Sequence, residues 1–397
     1  MTSPTTPGKA GTIWKYGTME FGWTPKEEAV RERASAFIAA NLPADWSATA
    51  SLSPGSQAVT DFSKVICPKL QDEGLWLSHW PAQYGGADAS PWDHFIIGEQ
   101  MWEAGEPRGP QYYNVNWIGP TILEYGTEAQ KDYHLGRIRQ GDVIWCQGFS
   151  EPSGGSDLAG IRTKAVREAG TDRYVVNGSK IWTSYARLAE FCILVARTGE
   201  GKRGVSVFLL PMERPGITVR PIDSVVGDGD LHEVFFDDVE VFAHERLGPE
   251  GAGWDVIRYS LNYERVGIPR YALGLKTLHR SVAELEASGE FGEAARQAAA
   301  SALAACEGAR MMAYEAVDQR TRNRPGSGVA SMARYAIVLA ERQVADFVLD
   351  WTPHLFSSDA DPMVATHHKR AIAAGLAAGA AEIQLNIIAR DVLGLGK

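Results

Sequence analysis

Closely spaced cysteines are missing from this sequence. Its four cysteines, Cys67, Cys146, Cys192 and Cys306, lie far apart and form no Cys-x-x-Cys pair. Disulfide-rich scaffolds and cysteine-based metal sites need such spacing, so the pattern argues against both. We expect four buried thiols in a reducing compartment.

Long hydrophobic runs and excess positive charge are missing too. No apolar segment approaches membrane-spanning length, and the N-terminus lacks the charged-then-apolar pattern of a signal peptide. The formal net charge of −10 repels nucleic acids and anionic membranes. We therefore expect a soluble, cytoplasmic protein with neither as a partner, in which an anionic ligand would need local positive charge.

The first third of the sequence has a helical pattern. Thr24 is a suitable N-cap, with Pro25 at the first helical position and two glutamates in the first turn. Apolar residues then recur at helical spacing up to Leu42. Similar patterns predict helices at 58–73, 91–104, 121–125 and 127–141. The preceding residues are polar and rich in glycine and threonine, which is typical of a loose leader.

Two further regions follow. Between Val143 and Phe242, short β-type runs separated by turn residues predict a compact antiparallel sheet. After Gly251 the sequence is rich in alanine, arginine, glutamate and leucine at helical spacing, which predicts long bundled helices, the first at 255–288 and the last at 367–393. The predicted fold class is α+β, with four parts: a leader (1–23), an N-terminal helical domain (24–145), a middle antiparallel β domain (146–247) and a C-terminal four-helix bundle (248–397).

Two motifs near the start of the β region suggest a ligand site. Residues 145–157 read WCQGFSEPSGGSD, and residues 177–184 read NGSKIWTS. Glycines let the backbone approach a ligand, and free N–H and hydroxyl groups can then bind a phosphate or a flat ring. Taken alone, a serine-glycine loop is more often a plain turn, and a strand tryptophan such as Trp182 more often lies in a core.

Together with WPAQYGG, GTEAQK and EIQLNIIARDVLGLG, these motifs resemble the acyl-CoA dehydrogenase family of flavoenzymes. The resemblance runs in order from about Thr24 to the C-terminus. It implies FAD as cofactor, an acyl-CoA substrate and an electron-transfer flavoprotein as acceptor. The implied reaction is α,β-dehydrogenation to the trans-2-enoyl-CoA, in which a carboxylate removes the α proton and flavin N5 accepts the β hydride. The context NGSKIWTS favours a flavin contact for Trp182.

The catalytic base is not at the family's usual place. Where most members carry a glutamate near the C-terminus, this sequence has Ala378, which cannot abstract a proton. Some members place the base on the long helix that opens the bundle, and Glu264 in LNYERVGIPRY matches that position. We assign Glu264 as the base, with Glu382, one helical turn beyond Ala378, as the alternative. An ordinary surface glutamate is the plain reading of either residue.

The resemblance also assigns binding residues. Arg265 matches an arginine that contacts CoA, although an ion pair on the helix surface is an equally good reading. Gln147 is the least certain flavin contact, because a tyrosine is frequent there. The expected cofactor contacts are Gln147, Phe149, Ser150, Ser156, Trp182, Thr183 and Ser184, the expected substrate contacts are Ser156, Asn262, Tyr263 and Arg265, and no metal is expected.

A second departure concerns the part of the flavin site that homo-oligomeric members lend to a neighbouring subunit. The family's Arg-x-x-Phe-Gly segment reads Ser288-Gly-Glu-Phe-Gly here, and its Gln-x-x-Gly-Gly segment falls in residues 351–358 without the glutamine or the glycines. A pyrophosphate facing Glu290 without an arginine would be poorly held. We therefore expect an α2β2 heterotetramer with a related subunit, otherwise a homotetramer, and by analogy a bulky steroid-type or branched acyl group.

Two alternative functions remain open at this stage. One keeps the fold and the flavin but acts on a carrier-protein thioester or a nitroalkane. The other is a non-catalytic or FAD-sharing subunit that supports a partner dehydrogenase, which Ala378 and the missing arginine would suit. The intact SEPSGGSD and NGSKIWTS segments and the presence of Glu264 favour an enzyme.

Overall fold

The computed structural model describes residues 23–396, except 53, 157, 202–203, 226–229, 267, 325, 358–360 and 378. The expected leader lies outside this range apart from Trp23, as do Asp157 and Ala378 of the motifs. Trp23 belongs to the folded part, since its ring packs against Trp92 and Tyr314 at centroid distances of 5.7 and 5.1 Å.

Helices form the region before the sheet. The first begins as predicted: Thr24 accepts a hydrogen bond from the main-chain N–H of Glu27, and the Glu27 carboxylate accepts one from the N–H of Thr24, which completes a capping box. Thr127 and Gln130 form a second capping box at the last helix of this region. The α-helices are α1 (Pro25–Asn41), α2 (Trp46–Ser51), α3 (Gln57–Asp72), α4 (Pro91–Glu103), α5 (Gly119–Tyr125) and α6 (Glu128–Gln140). A π-helical turn, Asn114–Ile118, leads directly into α5.

One eight-stranded sheet follows. The β-type runs at 174–176, 191–196, 205–210, 217–221 and 232–241 all form strands, and β1, β2 and β8 are additional. The strands are β1 (Trp145–Gly148), β2 (Lys164–Arg167), β3 (Arg173–Lys180), β4 (Phe191–Arg197), β5 (Val205–Pro211), β6 (Ile217–Ile222), β7 (Leu231–Phe242) and β8 (Arg246–Leu247). Their order is β6-β7-β3-β2-β4-β5-β8, with β1 beside β4. Most pairs are antiparallel as expected, but β1 and β2 each run parallel to β4.

The C-terminal region is a helical bundle in which two predicted helices are interrupted. Residues 255–288 form two helices instead of one, separated by 265–270, because Pro269 has no N–H to continue the ladder. Residues 367–393 also divide, around Gly375 and Gly379 at φ 87°. The helices are α7 (Gly253–Glu264), α8 (Tyr271–Ser288), α9 (Glu293–Thr321), α10 (Ser327–Trp351), α11 (Pro353–Ser357), α12 (Pro362–Ile372) and α13 (Ala381–Asp391).

The core continues across these regions. A cluster of buried side chains extends from α1, α3 and α4 through β1, β4 and β5 to α7, while α8, α9 and α10 share a second cluster with Phe95 of α4. All four cysteines are buried and free. Among the described residues, no helix is both long and apolar enough to cross a membrane.

Candidate active site

Glu264 is the last residue of α7, and the break in the helix sets its position. Arg265 caps the helix and Pro269 prevents it from continuing into α8. The Glu264 side chain is half-buried, with protein on most sides and one side open. Because α7 ends here, Glu264 lies where the chain leaves the helix, close to Gln147 of β1.

Gln147 of β1 holds the Glu264 carboxylate. Its Nε2 lies 3.5 Å from Glu264 Oε2, and its Oε1 accepts a 2.9 Å hydrogen bond from the indole N–H of Trp117. Because an indole N–H only donates, Trp117 fixes the Gln147 oxygen on its own side and turns the NH₂ toward Glu264. Sequence comparison suggested Gln147 as a flavin contact, and the structure places it against Glu264. Trp117, in the π-helical turn, was not singled out as a partner for the base.

The electrostatic surroundings suit Glu264 to proton abstraction. Burial raises the pKa of this carboxyl above the ordinary 4.5, and the Gln147 hydrogen bond and the Arg334, Arg265 and Arg270 guanidinium groups offset only part of that effect. A carboxylate with a raised pKa is a stronger base than one in water.

The alternative base, Glu382, lies elsewhere in the structure. It is in the first turn of α13 and its side chain is exposed to solvent. Residue 378, where the family's usual base stands, lies outside the described residues. Geometry therefore favours Glu264 over Glu382.

The expected flavin contacts Trp182, Thr183 and Ser184 follow directly after β3. Trp182 has a left-handed backbone, at φ 59°, and its side chain is 55% exposed, which is unusual for a tryptophan. The side chain of Thr183 is fully buried, and its hydroxyl has no hydrogen-bond partner among the described residues. An exposed aromatic face beside a hydroxyl without a partner is compatible with binding of a flat polar ring.

A buried ion pair joins the two motifs. Lys180, at the end of β3, donates to the Phe149 carbonyl at 3.1 Å and to Glu151 Oε1 at 2.8 Å. The Glu151 carboxylate also accepts from the main-chain N–H groups of Arg162 and Thr163 at 2.6 and 2.9 Å. Burial acts to raise the pKa of Glu151, but Lys180 and these N–H donors outweigh it and leave the pKa lowered. Both motifs were recognised in the sequence, but this pair was not, since the residues are 29 positions apart.

Main-chain contacts complete the junction. The N–H of Ile181 donates to the Ser150 carbonyl at 3.0 Å, so Ser150 lies beside the chain entering Trp182. Glu151 and Gly154 exchange main-chain hydrogen bonds of 3.1 and 2.9 Å, which closes the predicted turn. Ser156 is exposed, and the structure shows it near neither Glu264 nor Trp182 through any described contact.

Tyr113 connects the flavin motif with Glu264. Burial raises the pKa of its phenol strongly, and the nearby Tyr112 and Glu264 raise it further, while a hydrogen bond with Ser184 opposes them. Its ring packs on Trp117 at 4.3 Å and on Tyr185 at 5.0 Å. Tyr113 thus lies close to Glu264 and to Ser184 of the expected flavin segment. Nothing in the sequence motifs marked Tyr113.

The expected substrate residues cluster at the end of α7. Arg265 is buried, and its Nη1 donates to Asn262 Oδ1 at 3.1 Å. Tyr263 packs under the Arg320 guanidinium at 4.7 Å, and both line a cavity of about 180 Å³ with His79 and His94. Arg265 is therefore not the surface ion pair of its plain reading, because it is buried and its partner on the helix is an uncharged asparagine.

Comparison with known proteins identifies this arrangement. Three sequence profiles match nearly the whole chain: acyl-CoA dehydrogenase N-terminal domain over residues 24–142, middle domain over 146–239 and C-terminal domain over 251–393. The chain belongs to the acyl-CoA dehydrogenase family. It is accordingly an FAD-dependent oxidoreductase that acts on acyl-CoA.

Individual proteins similar to this chain support the same family. The acyl-CoA dehydrogenase IpdE1 of Mycobacterium tuberculosis is 31% identical over 319 residues, which is 79% of this chain and 77% of the relative. Among solved structures, the Tcur3481-Tcur3483 steroid acyl-CoA dehydrogenase is similar with a TM-score of 0.86 at 25% identity, over 96% of this chain and 100% of that one. The ChsE4-ChsE5 complex of Mycobacterium tuberculosis has a TM-score of 0.81 at 28% identity, over 96% and 100%.

The residues of this acyl-CoA dehydrogenase fit a flavin. The exposed Trp182 ring offers a stacking face, and the buried Thr183 hydroxyl is free to bond a ring heteroatom. The loop carrying Phe149 and Ser150 is held against this segment by Lys180 and Ile181. The two expected flavin segments are therefore held together by hydrogen bonds within the chain.

Proposed function

We propose that this chain carries the catalytic base of an acyl-CoA α,β-dehydrogenase, and that the base is Glu264. The observation that carries the proposal is the Glu264 carboxylate beside Gln147, half-buried and with a raised pKa, next to the expected flavin segment. Glu382 is exposed on α13 and lacks such an environment. The product is the trans-2-enoyl-CoA.

Each residue has a separate task. Glu264 takes the α proton, Gln147 orients its carboxylate, and Trp117 fixes the Gln147 amide. Arg265, with Asn262, provides positive charge toward the CoA part of the ligand. The segments around Phe149 and Trp182, together with Thr183, would hold FAD. When bound, FAD supplies the acceptor for the hydride that leaves the β carbon.

The substrate proposal is a bulky acyl group of the steroid type. Its support is similarity to a structure described as a steroid acyl-CoA dehydrogenase. The electron acceptor we propose is an electron-transfer flavoprotein, as the family implies. A linear or branched fatty acyl-CoA that reacts faster than any polycyclic one would contradict the substrate proposal without affecting the role of Glu264.

The assembly proposed is an α2β2 heterotetramer. Ser288, at the end of α8, and Glu290 are exposed, so the surface that would face a neighbour's pyrophosphate carries a negative charge. Two similar structures contain paired subunits according to their descriptions, Tcur3481-Tcur3483 and ChsE4-ChsE5. One arginine nevertheless lies close by, since Arg296 covers the Phe291 ring at 5.6 Å. A homotetramer is therefore the alternative assembly to be tested.

The base is tested by substitution of each candidate glutamate. Glu264→Gln keeps the shape and the hydrogen bond but cannot accept the proton, so kcat should fall by about 10²- to 10⁴-fold. Glu382→Gln is the matched control and should retain near-normal kcat. Reduction of bound flavin by acyl-CoA in a single turnover, in the flavin-loaded assembly, measures both. An inactive Glu382→Gln beside an active Glu264→Gln would overturn the assignment.

A further inference from the structure

Three arginines lie in the interior where α8, α10 and α12 pack together. Arg270 precedes α8, Arg334 is on α10 and Arg370 is on α12. Arg334 and Arg370 are buried, at 3% and 9% exposure, and Arg270 is largely buried with its guanidinium over the Trp102 ring at 5.7 Å. Arg270 also lies close enough to Tyr112, Tyr113 and Tyr185 for each to affect its charge. We call these three residues the arginine cluster.

The cluster has too few anionic partners. Glu341 of α10 lies 3.7 Å from Arg270, and that is the only ion pair that the described residues provide to any of the three. Arg334 donates to the Ala377 carbonyl at 3.3 Å, and its Nε has no partner among the described residues. The remaining carboxylate near Arg370, Asp230, exerts only a longer-range attraction.

Arg108, a buried arginine elsewhere in the chain, differs from the arginine cluster in its partners. Arg108 is equally buried, and it forms a bidentate pair with Glu106 through bonds of 2.6 and 2.7 Å. Buried charge is costly unless it is paired and hydrogen-bonded, and Arg108 meets that condition. The arginine cluster does not.

The electrostatics agree with the geometry. Burial lowers the pKa of Arg334 and of Arg370, and repulsion from Arg270 adds to the effect in both. Glu341 and Glu264 oppose it at Arg334 and Asp230 opposes it at Arg370, but these attractions do not outweigh burial. Burial, with Arg370 and Arg270 nearby, also lowers the pKa of His367 to about 3, so this buried imidazole is neutral.

The cluster also lies within reach of the reacting end of a substrate. Arg334 and Arg270 are close enough to Glu264 to lower its pKa, and Tyr113 is coupled both to Glu264 and to Arg270. An acyl group whose α carbon lies at Glu264 and which extends past Tyr113 would bring its far end toward these guanidinium groups.

We propose that the acyl group bears a carboxylate remote from the thioester, and that Arg334 and Arg370 bind it, with Arg270 beside them. The ligand would then be a half-thioester of a dicarboxylic acid. Arginine matches a carboxylate through two parallel hydrogen bonds, and a bound anion supplies the partner that the cluster lacks. This inference rests on the proposed function, since it names the class of its substrate.

The test compares acyl-CoA probes of equal length in the flavin-loaded assembly. Suberyl-CoA and sebacyl-CoA carry the remote carboxylate, and octanoyl-CoA and decanoyl-CoA do not. Flavin absorbance changes on titration give Kd, and bleaching gives the single-turnover rate. We expect the dicarboxylic probes to bind at least tenfold more tightly, and Arg334→Met to reduce that preference below threefold while octanoyl-CoA binding stays within twofold.

Matched variants distinguish the effect of losing the arginine charge from the effect of a damaged fold. Arg342 is on the same helix and, like Arg334, donates to a main-chain carbonyl, in this case that of Ala374, but its side chain is exposed. Arg342→Met should therefore keep the preference for dicarboxylic probes. Arg334→Lys should restore part of it, and Arg370→Met provides a second removal if Arg334→Met does not fold. Equal or weaker binding of the dicarboxylic probes by the wild type, while monocarboxylic probes bleach the flavin, would overturn this inference and leave the proposed function standing. Bleaching by none of the four would overturn this inference, and the proposed function would then be decided by the Glu264→Gln and Glu382→Gln variants.

Discussion

At the scale of single residues, the base depends on contacts that only folding creates. Family likeness pointed to Glu264, but its environment comes from Gln147, which is 117 positions away, and from Trp117. Neither the spacing nor the composition of the sequence could connect these residues, because β1 and the end of α7 meet only in the folded chain. The arginine cluster was missed for the same reason.

The Gln147 contact has a measurable effect on pH dependence. Its NH₂ stabilises the charged form of Glu264, so Gln147→Leu should raise the pKa of the base further above 4.5. The proposed base works only when deprotonated. On acidification, kcat/KM should therefore begin to fall at a higher pH in the variant than in the wild type. Trp117→Phe, which frees the Gln147 amide, should move the profile in the same direction by less.

The measurement is the pH profile of kcat/KM from pH 5 to 9 for each variant and the wild type. Flavin content, read from absorbance, is the control for a merely structural effect and should be unchanged. An acid limb that moves to lower pH in Gln147→Leu would show that the amide does not stabilise the carboxylate.

At the scale of elements, helix and strand regions could be predicted well, but their interruptions could not. The capping residue Thr24 and the mostly apolar runs of β4 and β5 are local signals, and the structure confirms them. The break after Glu264 was hidden because amphipathic spacing continues on both sides of Pro269. That break puts Glu264 at the end of a helix, so the missed detail was also the one that positions the site.

The Lys180–Glu151 pair supports the junction between β3 and the flavin loop. Removing one partner leaves the other charge buried, so Lys180→Met should destabilise the fold by about 3–5 kcal/mol. Lys164→Met, at an exposed position on neighbouring β2, should change stability by less than about 0.5 kcal/mol. Denaturant unfolding of the flavin-free chains measures both, and FAD titration should show weaker binding in Lys180→Met only. Equal stability of the two variants would mean that the pair contributes no net stabilisation.

At the scale of the whole molecule, the surface indicates assembly. Most of the exposed large hydrophobic side chains among the described residues lie on the last third of the chain, as in Ile372, Leu376, Leu393 and Leu395, which are 59–71% exposed. Exposed apolar side chains concentrated in one region of a chain favour an interaction site there. The bundle is therefore the face on which we expect another subunit to pack.

Flavin content distinguishes the two possible assemblies. The chain purified alone should bind little FAD, and co-expression with the correct related subunit should give one FAD per heterodimer, because only one complete site forms. Native mass spectrometry with flavin absorbance measures both quantities. A homotetramer with one FAD per chain would contradict the heteromer and would point to Arg296, above Phe291, as the replacement for the missing arginine.

Trp182 has a practical consequence for anyone preparing this enzyme. A tryptophan with a left-handed backbone and a 55% exposed ring presents a large apolar face to solvent, which the proposed flavin contact would cover. We therefore expect the cofactor-free protein to aggregate more readily than the flavin-loaded form. Riboflavin in the growth medium and FAD in every buffer from lysis onward would protect the yield.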